Sequence, residues 1–358
     1  MIGWGDIYNV VVAVVPLYVA LVLGYGSVKW WRIFTAEQCD AINSFVCYFT
    51  LPLFTFEFTS HVDPFNMNFM FIAADAISKA VIVAVLGFWA VCGGEDSVAW
   101  SISSFSLATL TNALVVGVPM IKPMYGQLGV DLVVQASAVQ AIVWLTLLLF
   151  VLEFRRSAGD FSSKAAAKDS GGGGDVEFDL EGEGVVEVMN DEPKPFWSLM
   201  KVVSLKLATN PNSYACTLGL VWALIANRWN LEMPSVIDGS ILIMSKAGTG
   251  TAMFNMGLFM AKQKRIISCG KTLTVFGMIL RFIGGPAAMA IGAIAVGLRG
   301  DVLRIAIIQA AVPQSITSFI FAKEYGLHAD VISTAVIFGM IVSLPVLIGY
   351  YVILEFLN

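Results

Sequence analysis

Apolar positions along the chain gather into ten runs, near 7–27, 39–58, 70–92, 99–121, 132–154, 211–229, 236–261, 272–298, 302–322 and 331–357, joined by polar links. A helix crossing the hydrocarbon core of a bilayer takes about 20 apolar residues, so the pattern predicts an all-α membrane protein with ten transmembrane helices. One link stands apart. Arg155 to Pro195 contains GGGGDVEFDLEGEGVVE and sets ten acidic residues against five basic ones. A segment of this kind buries too little apolar surface to offset its ordering entropy, which predicts a disordered acidic linker over 155–195. It separates a first half, 1–154, from a second, 196–358. The second half opens on FWSLMKVVSLKLA, whose Lys201 and Lys206 sit among apolar side chains, a pattern that predicts a helix lying at the membrane interface.

Two runs are interrupted. Phe105 to Gly126 holds Asn112 near its middle, then Gly117, Pro119 and Pro123; Ile305 to Gly326 holds Pro313. Proline lacks a backbone donor and pushes the preceding residue out of helical geometry, so breaks are expected at Val118-Pro119 and at Pro313. Non-helical backbone at membrane depth is tolerated only where it is buried in protein or lines a cavity. Broken segments in corresponding halves point to a transporter's central site.

The halves also repeat each other. Lys29-Trp30-Trp31 ends the first run as Arg228-Trp229-Asn230 ends the sixth, and Asp40-Ala41-Ile42 opens the second as Asp238-Gly239-Ser240 opens the seventh. Tyr125-Gly126 leads to Asp131 as Tyr325-Gly326 leads to Asp330, and Leu152-Glu153-Phe154 is matched by Leu354-Glu355-Phe356. An odd number of spans per copy turns the second copy over, which gives an inverted 5+5 repeat with spans 4 and 9 crossing. Placing the linker in the cytosol puts fourteen Lys and Arg on that side and only Lys122, Arg228, Arg299 and Arg304 on the other. By the positive-inside rule both termini then face away from the cytosol.

Composition agrees. Of 358 residues, 58% are apolar and 13% charged, with a mean hydropathy of +0.79, against the roughly 45–50% apolar share of soluble domains. The net charge of −5 gathers in the linker and points to no nucleic-acid partner. Cys39, Cys47, Cys92, Cys216 and Cys269 lack metal or redox spacing and read as apolar fillers. The absence of a nucleotide loop, of zinc spacing and of a partnered nucleophile argues against an enzyme or an energised pump, and implies no cofactor and no metal.

The polar residues inside the runs are the candidates for chemistry. Asp75 and Lys79 lie one turn apart on one helix face, each offsetting part of the other's insertion cost of roughly 2.5–3.5 kcal/mol. They read either as a structural pair or as groups lining the substrate path. Asn112 needs a partner, either backbone freed by the break or a ligand. Gln140, Gln309 and Gln314 are expected to bond across helix interfaces, Lys246 and Arg281 to snorkel or meet carbonyls, and Glu57 to reach water. Two crossing half-helix N-termini would present unpaired N–H groups suited to a carboxylate. Leu51, Leu114, Val118, Ile316 and Phe319 would suit an apolar or aromatic body. The residues thus reach an amphipathic organic anion as substrate.

GYGSVKWW (24–31), CDAINSFV (39–46), LTNALVVGVPM (110–120), IIQAAVPQSITSFIFAKEYG (307–326) and STAVIFGM (333–340) resemble the PIN-FORMED auxin efflux carriers of plants over both membrane halves. The resemblance implies ten spans in an inverted repeat, a scaffold and a transport domain, a homodimer in the lipid bilayer, and elevator-type movement of the indole-3-acetate anion out of the cytosol. It implies substrate contacts at Leu51, Asn112, Leu114, Ile316 and Thr317, a supporting polar site of Asp75, Lys79 and Gln140, and a crossover at Pro119 and Pro313. Two departures stand out: the linker is of the short-loop type, which favours the endoplasmic reticulum over the plasma membrane, and Leu145 follows Trp144 where some members place a tyrosine. Against auxin transport stand a cation or proton exchanger working through Asp75, a carrier for another organic anion, and a receptor with a transporter fold. An exchanger would place acids at the breaks, where this chain has Asn112 and Gln314.

Overall fold

A computed structural model describes residues 4–94, 96–169, 196–263 and 267–356. Helix dominates throughout, and the described residues form two compact units, one of 1–142 with 211–358 and a small one of 143–210.

In the larger unit, α1 (Trp4–Lys29) leads to α2 (Ala36–Phe45), which passes through a π-turn at Val46–Thr50 into α3 (Leu51–Ser60). A capping box opens α2: the Thr35 hydroxyl accepts from Gln38 N–H while the Gln38 amide oxygen accepts from Thr35 N–H, which satisfies two orphan donors of the first turn. Next come α4 (Phe69–Cys92), capped by Asn68, α5 (Ser97–Thr109), and α6 (Val118–Val139), which follows a π-turn at Ala113–Gly117 and is broken by a kink at Gly126 (φ 63°, ψ −145°). The small unit holds α7 (Leu145–Asp169) and α8 (Phe196–Thr209). The chain then returns to the larger unit with α9 (Pro211–Trp229), α10 (Ser235–Lys262), α11 (Lys271–Ile279), α12 (Gly285–Val296), α13 (Gly300–Ala310), α14 (Ile316–Glu324) and α15 (Ala329–Phe356).

Every apolar run read from the sequence is helical for most of its length, but the helices are not ten equal spans. Six helical stretches among the described residues are long and apolar enough to cross a membrane: Ile7–Lys29, Ala36–Ser60, Phe69–Cys92, Ala113–Ser157, Lys271–Val296 and Ala329–Phe356. Helices α5, α9, α10, α13 and α14 are not among them. The chain is an integral, multi-pass membrane protein. Its outer faces expose Val12, Val19, Val83, Val85, Phe88, Ile283 and Ile294 while Leu107, Ile121, Ile305, Ile308 and Val336 are fully buried.

Within the larger unit α1 packs along α10, α3 on α9, and α4 on α12. The α1–α10 contact is backbone against backbone. A Cβ on Gly257 would stand 2.1 Å from Leu21 O and 2.7 Å from Tyr25 N, and one on Gly24 would stand 2.1 Å from Phe254 O. Small residues allow this approach, and with lipid on both sides packing rather than the hydrophobic effect holds such helices together. Gly257→Ala should therefore lose about 1–3 kcal/mol from overpacking. Gly250→Ala, on the same helix with open space around it, should gain about 0.5–1 kcal/mol from reduced chain entropy. Thermal unfolding of the two purified variants decides it; equal midpoints would mean the helices are not in tight contact.

The linker boundary differs from the sequence reading. Helix α7 runs on from the membrane segment to Asp169, fifteen residues past the boundary at 154, because SAGDFSSKAAAKD offers alanines and lysines that favour helix once one is nucleated. Residues 170–195 lie outside the described residues. In the small unit Lys206 on α8 pairs with Glu153 on α7 at 2.7 Å, and Glu153 is buried. The lysine expected at the interface thus neutralises a buried acid.

Candidate functional site at a crossover of two broken helices

Helix α5 stops at Thr109, and Leu110 leaves helical geometry (φ −81°, ψ 110°). Helix α13 stops at Ala310, and the chain passes through Ala311–Gln314 before Ser315 caps α14. The freed backbones pair with each other. Thr111 and Gln314 form an antiparallel bridge, flanked by Asn112 N–H donating to Pro313 O at 2.9 Å and Ser315 N–H donating to Leu110 O at 3.1 Å. Buried backbone polar groups need partners, and each break supplies them to the other.

The second break falls at Pro313 as read from the sequence. The first does not fall at Val118-Pro119. It lies at Leu110–Asn112, and Pro119 sits in the first turn of α6. The π-turn before it explains why this proline is accommodated: Val118 N–H reaches back five residues to Ala113 O, so the ladder is already wide where the proline donor is missing. The two prolines are not equivalent. Pro119→Ala should leave ligand affinity within about twofold, whereas Pro313→Ala, which lets α13 extend and withdraws the acceptor of Asn112 N–H, should weaken binding by about tenfold or more, the worth of one to two kcal/mol. Titration of an amphipathic carboxylate and its amide against both variants tests this; equal losses for the two variants would refute the asymmetry.

Three amides and a threonine brace the crossing. Gln140 Oε1 accepts from Thr111 N–H at 2.9 Å and from its hydroxyl at 3.1 Å, while Gln140 Nε2 donates to Thr111 O at 2.8 Å. Gln309 Nε2 donates to the Thr111 hydroxyl at 3.3 Å, and Gln314 Nε2 donates to Ser106 O at 2.8 Å and to the Ser318 hydroxyl at 2.7 Å. Gln140 thus extends the two-stranded crossing by a side chain that imitates a third strand.

Asn112 is different. It stands at the N-cap of the π-turn, half-buried, with its carbonyl accepting from Val116 and Gly117 at 3.2 Å. Its side-chain amide makes no capping bond and no other bond among the described residues. Beside it the first-turn N–H groups of Ala113–Val115 are those that a helix leaves without an internal acceptor.

The remaining predicted residues divide between two places. Leu114 is buried, and Leu51 and Ile316 pack against the same apolar core; Thr317 N–H is held by the Ser315 hydroxyl at 3.3 Å. Ile316 and Phe319 also open onto a cleft of about 1180 Å³, with Asp40, Asn43, Asn255 and Lys262 on its walls. Asp75, Lys79 and Gln140 instead line a cavity of about 20 Å³ with Thr111 and Gln309, room for roughly one water. Asp75 and Lys79 form a buried ion pair. Glu57 does not simply meet water: the Ser245 hydroxyl donates to it at 3.2 Å.

The profile of the family described as membrane transport protein matches residues 9–351. The chain belongs to that family. It is 66% identical over 361 residues to auxin efflux carrier component 5 of Arabidopsis thaliana, all of both chains being covered, and 63% identical over 364 residues to probable auxin efflux carrier component 5a of Oryza sativa subsp. japonica, again over both whole chains. Auxin efflux carrier component 8 of Arabidopsis thaliana is 38% identical over 366 residues, covering 99% of this chain and all of that one. The resemblance to the plant auxin efflux carriers carried by the motifs therefore holds along the full chain, and these matches at nearly equal length show its short-loop form.

In this membrane transport protein the residue that sequence reasoning undervalued is Arg281. It is fully buried, and it meets carbonyls of both broken helices. The one available signal was an arginine in the middle of an apolar run, beside Gly284-Gly285-Pro286. Thr111 was missed as well, because a threonine in an apolar run usually bonds back to its own helix.

Proposed function

We infer that this protein carries auxin, the indole-3-acetate anion, out of the cytosol by elevator-type alternating access. The observation that carries the reading is the unspent amide of Asn112 at a crossover of two broken helices, in a chain 66% identical over its whole length to a protein called an auxin efflux carrier. An anionic carboxylate at the half-helix N-termini would receive the Asn112 amide and the first-turn N–H groups, whose partial charge is positive. Leu51, Leu114 and Ile316 would cover the indole ring, and Thr317 would add a hydroxyl.

The finer architecture belongs to the same proposal: ten spans as an inverted 5+5 repeat, with spans 4 and 9 crossing. Supporting it are the reciprocal pairing of α1 with α10 and α3 with α9, and the left-handed glycines that end matching half-helices, Gly126 at φ 63° and Gly326 at φ 62°. Both termini facing away from the cytosol, a homodimer, and residence in the endoplasmic reticulum complete it.

Uptake of labelled indole-3-acetate into proteoliposomes, with and without a pH gradient, tests the function. Saturable uptake that competes with unlabelled substrate is the expected result. Proton flux without indole-3-acetate flux would favour the exchanger, for which the buried Asp75 beside the crossing is the motivating observation.

A further inference from the structure

Arg281 lies in a π-turn, Leu280–Gly284, between α11 and α12, the kind of local widening that re-aims a side chain. Its Nη1 donates to Leu107 O at 3.2 Å and Leu110 O at 3.3 Å, and its Nη2 donates to Ala310 O at 2.5 Å. Leu107 and Leu110 belong to the end of α5 and Ala310 is the last residue of α13, so one guanidinium ties together the C-termini of both broken helices. None of the described ion pairs involves it, and its Nε has no partner among the described residues. One turn on, Gly285 brings the helix backbone close to the same two helix ends: a Cβ there would stand 2.5 Å from Ala108 O and 3.5 Å from Ala310 O.

A helix C-terminus carries roughly half a negative charge. Two of them converging at one point amount to about one unit, which a single monovalent cation neutralises. In transporters built on broken helices, unwound carbonyls and half-helix C-termini are where the coupling cation binds. Here that position is filled from within the chain. The charge is balanced by helix ends rather than by a carboxylate, unlike the nearby Asp75–Lys79 pair.

We propose that Arg281 is a tethered cation standing where a free coupling cation would bind, and that removing its guanidinium uncovers a monovalent-cation site made by the Leu107, Leu110 and Ala310 carbonyls. Two consequences follow. The C-terminal side of the crossing stays neutralised at every stage of the cycle, leaving the N-terminal side, with Asn112, to receive an anion. Transport then needs no sodium or potassium. This last consequence rests on the proposed transport function; the site itself does not.

The test is thermal unfolding of the full-length purified protein in choline, sodium, potassium or guanidinium chloride at equal, millimolar concentration. The wild-type midpoint is expected to be the same in all four. Arg281→Ala is expected to melt lower in choline and to be raised, saturably, by guanidinium or a small monovalent cation. A variant as indifferent to the cation as the wild type, or a wild type that itself depends on sodium or potassium, overturns the proposal. Should Arg281→Ala not survive purification, Arg281→Lys and Arg281→Gln decide the matter, since both offer N–H donors and only one is charged. Lysine clearly more stable than glutamine supports the tethered charge; glutamine no worse than lysine shows an ordinary cap and overturns it. Indole-3-acetate uptake by Arg281→Ala with and without the stabilising cation is a separate arm. If even the wild type takes up no indole-3-acetate, the function falls while the melting data still decide the role of Arg281.

Discussion

Asn112→Ala should remove most indole-3-acetate uptake, by about tenfold to a hundredfold, while the purified variant melts close to the wild type. The size of the loss follows from deleting one hydrogen bond to a charged group, worth about 1.5–3 kcal/mol. Its separation from stability follows from the structure. Replacing an N-cap asparagine usually costs about 0.5–2 kcal/mol because a side-chain bond to the first turn is lost. Asn112 makes no such bond, so the folded state has little to lose; the backbone bond from its N–H to Pro313 O survives the substitution. Uptake in proteoliposomes together with thermal unfolding checks both halves. Wild-type uptake would remove Asn112 from the substrate site, and a large fall in melting temperature would mean the amide has a structural partner.

Breaking the Asp75–Lys79 pair from one side should be strongly destabilising. Both side chains are nearly excluded from the surface, at 8% exposure for Lys79 and 12% for Asp75. Lys79→Met takes away the ammonium that Asp75 pairs with in the small cavity beside Thr111 and Gln140, and removing one partner of a buried pair costs about 3–5 kcal/mol. Replacing both, Asp75→Leu with Lys79→Met, removes both buried charges together and should recover most of that loss, because apolar residues of similar volume often replace buried pairs at little cost. The double variant also separates structure from mechanism. If the pair only holds α4 in place, the stable double variant still transports. If it folds as the wild type does yet carries no indole-3-acetate, the pair belongs to the transport cycle.

The sequence by itself determined what depends on near neighbours. Apolar runs of about twenty residues made the chain a helical membrane protein, and a spacing of four put Asp75 and Lys79 on one helix face, where they do pair. Pro313 marked its break because a missing donor and a crowded preceding residue act within one turn. The matched Tyr-Gly pairs marked the ends of half-helices because both glycines need positive φ. Tertiary structure decided what depends on distant partners. Whether Pro119 broke its helix turned on a π-turn and on whether backbone freed at Leu110–Asn112 could find hydrogen-bond partners 201 to 205 residues away, around Pro313. Gln140 and Arg281 could be recognised as costly inside an apolar run, but their use was set by the carbonyls and N–H groups that folding brought to them. A buried polar group must be satisfied somewhere; the chain states the need locally, and only the packing of remote segments supplies the partner.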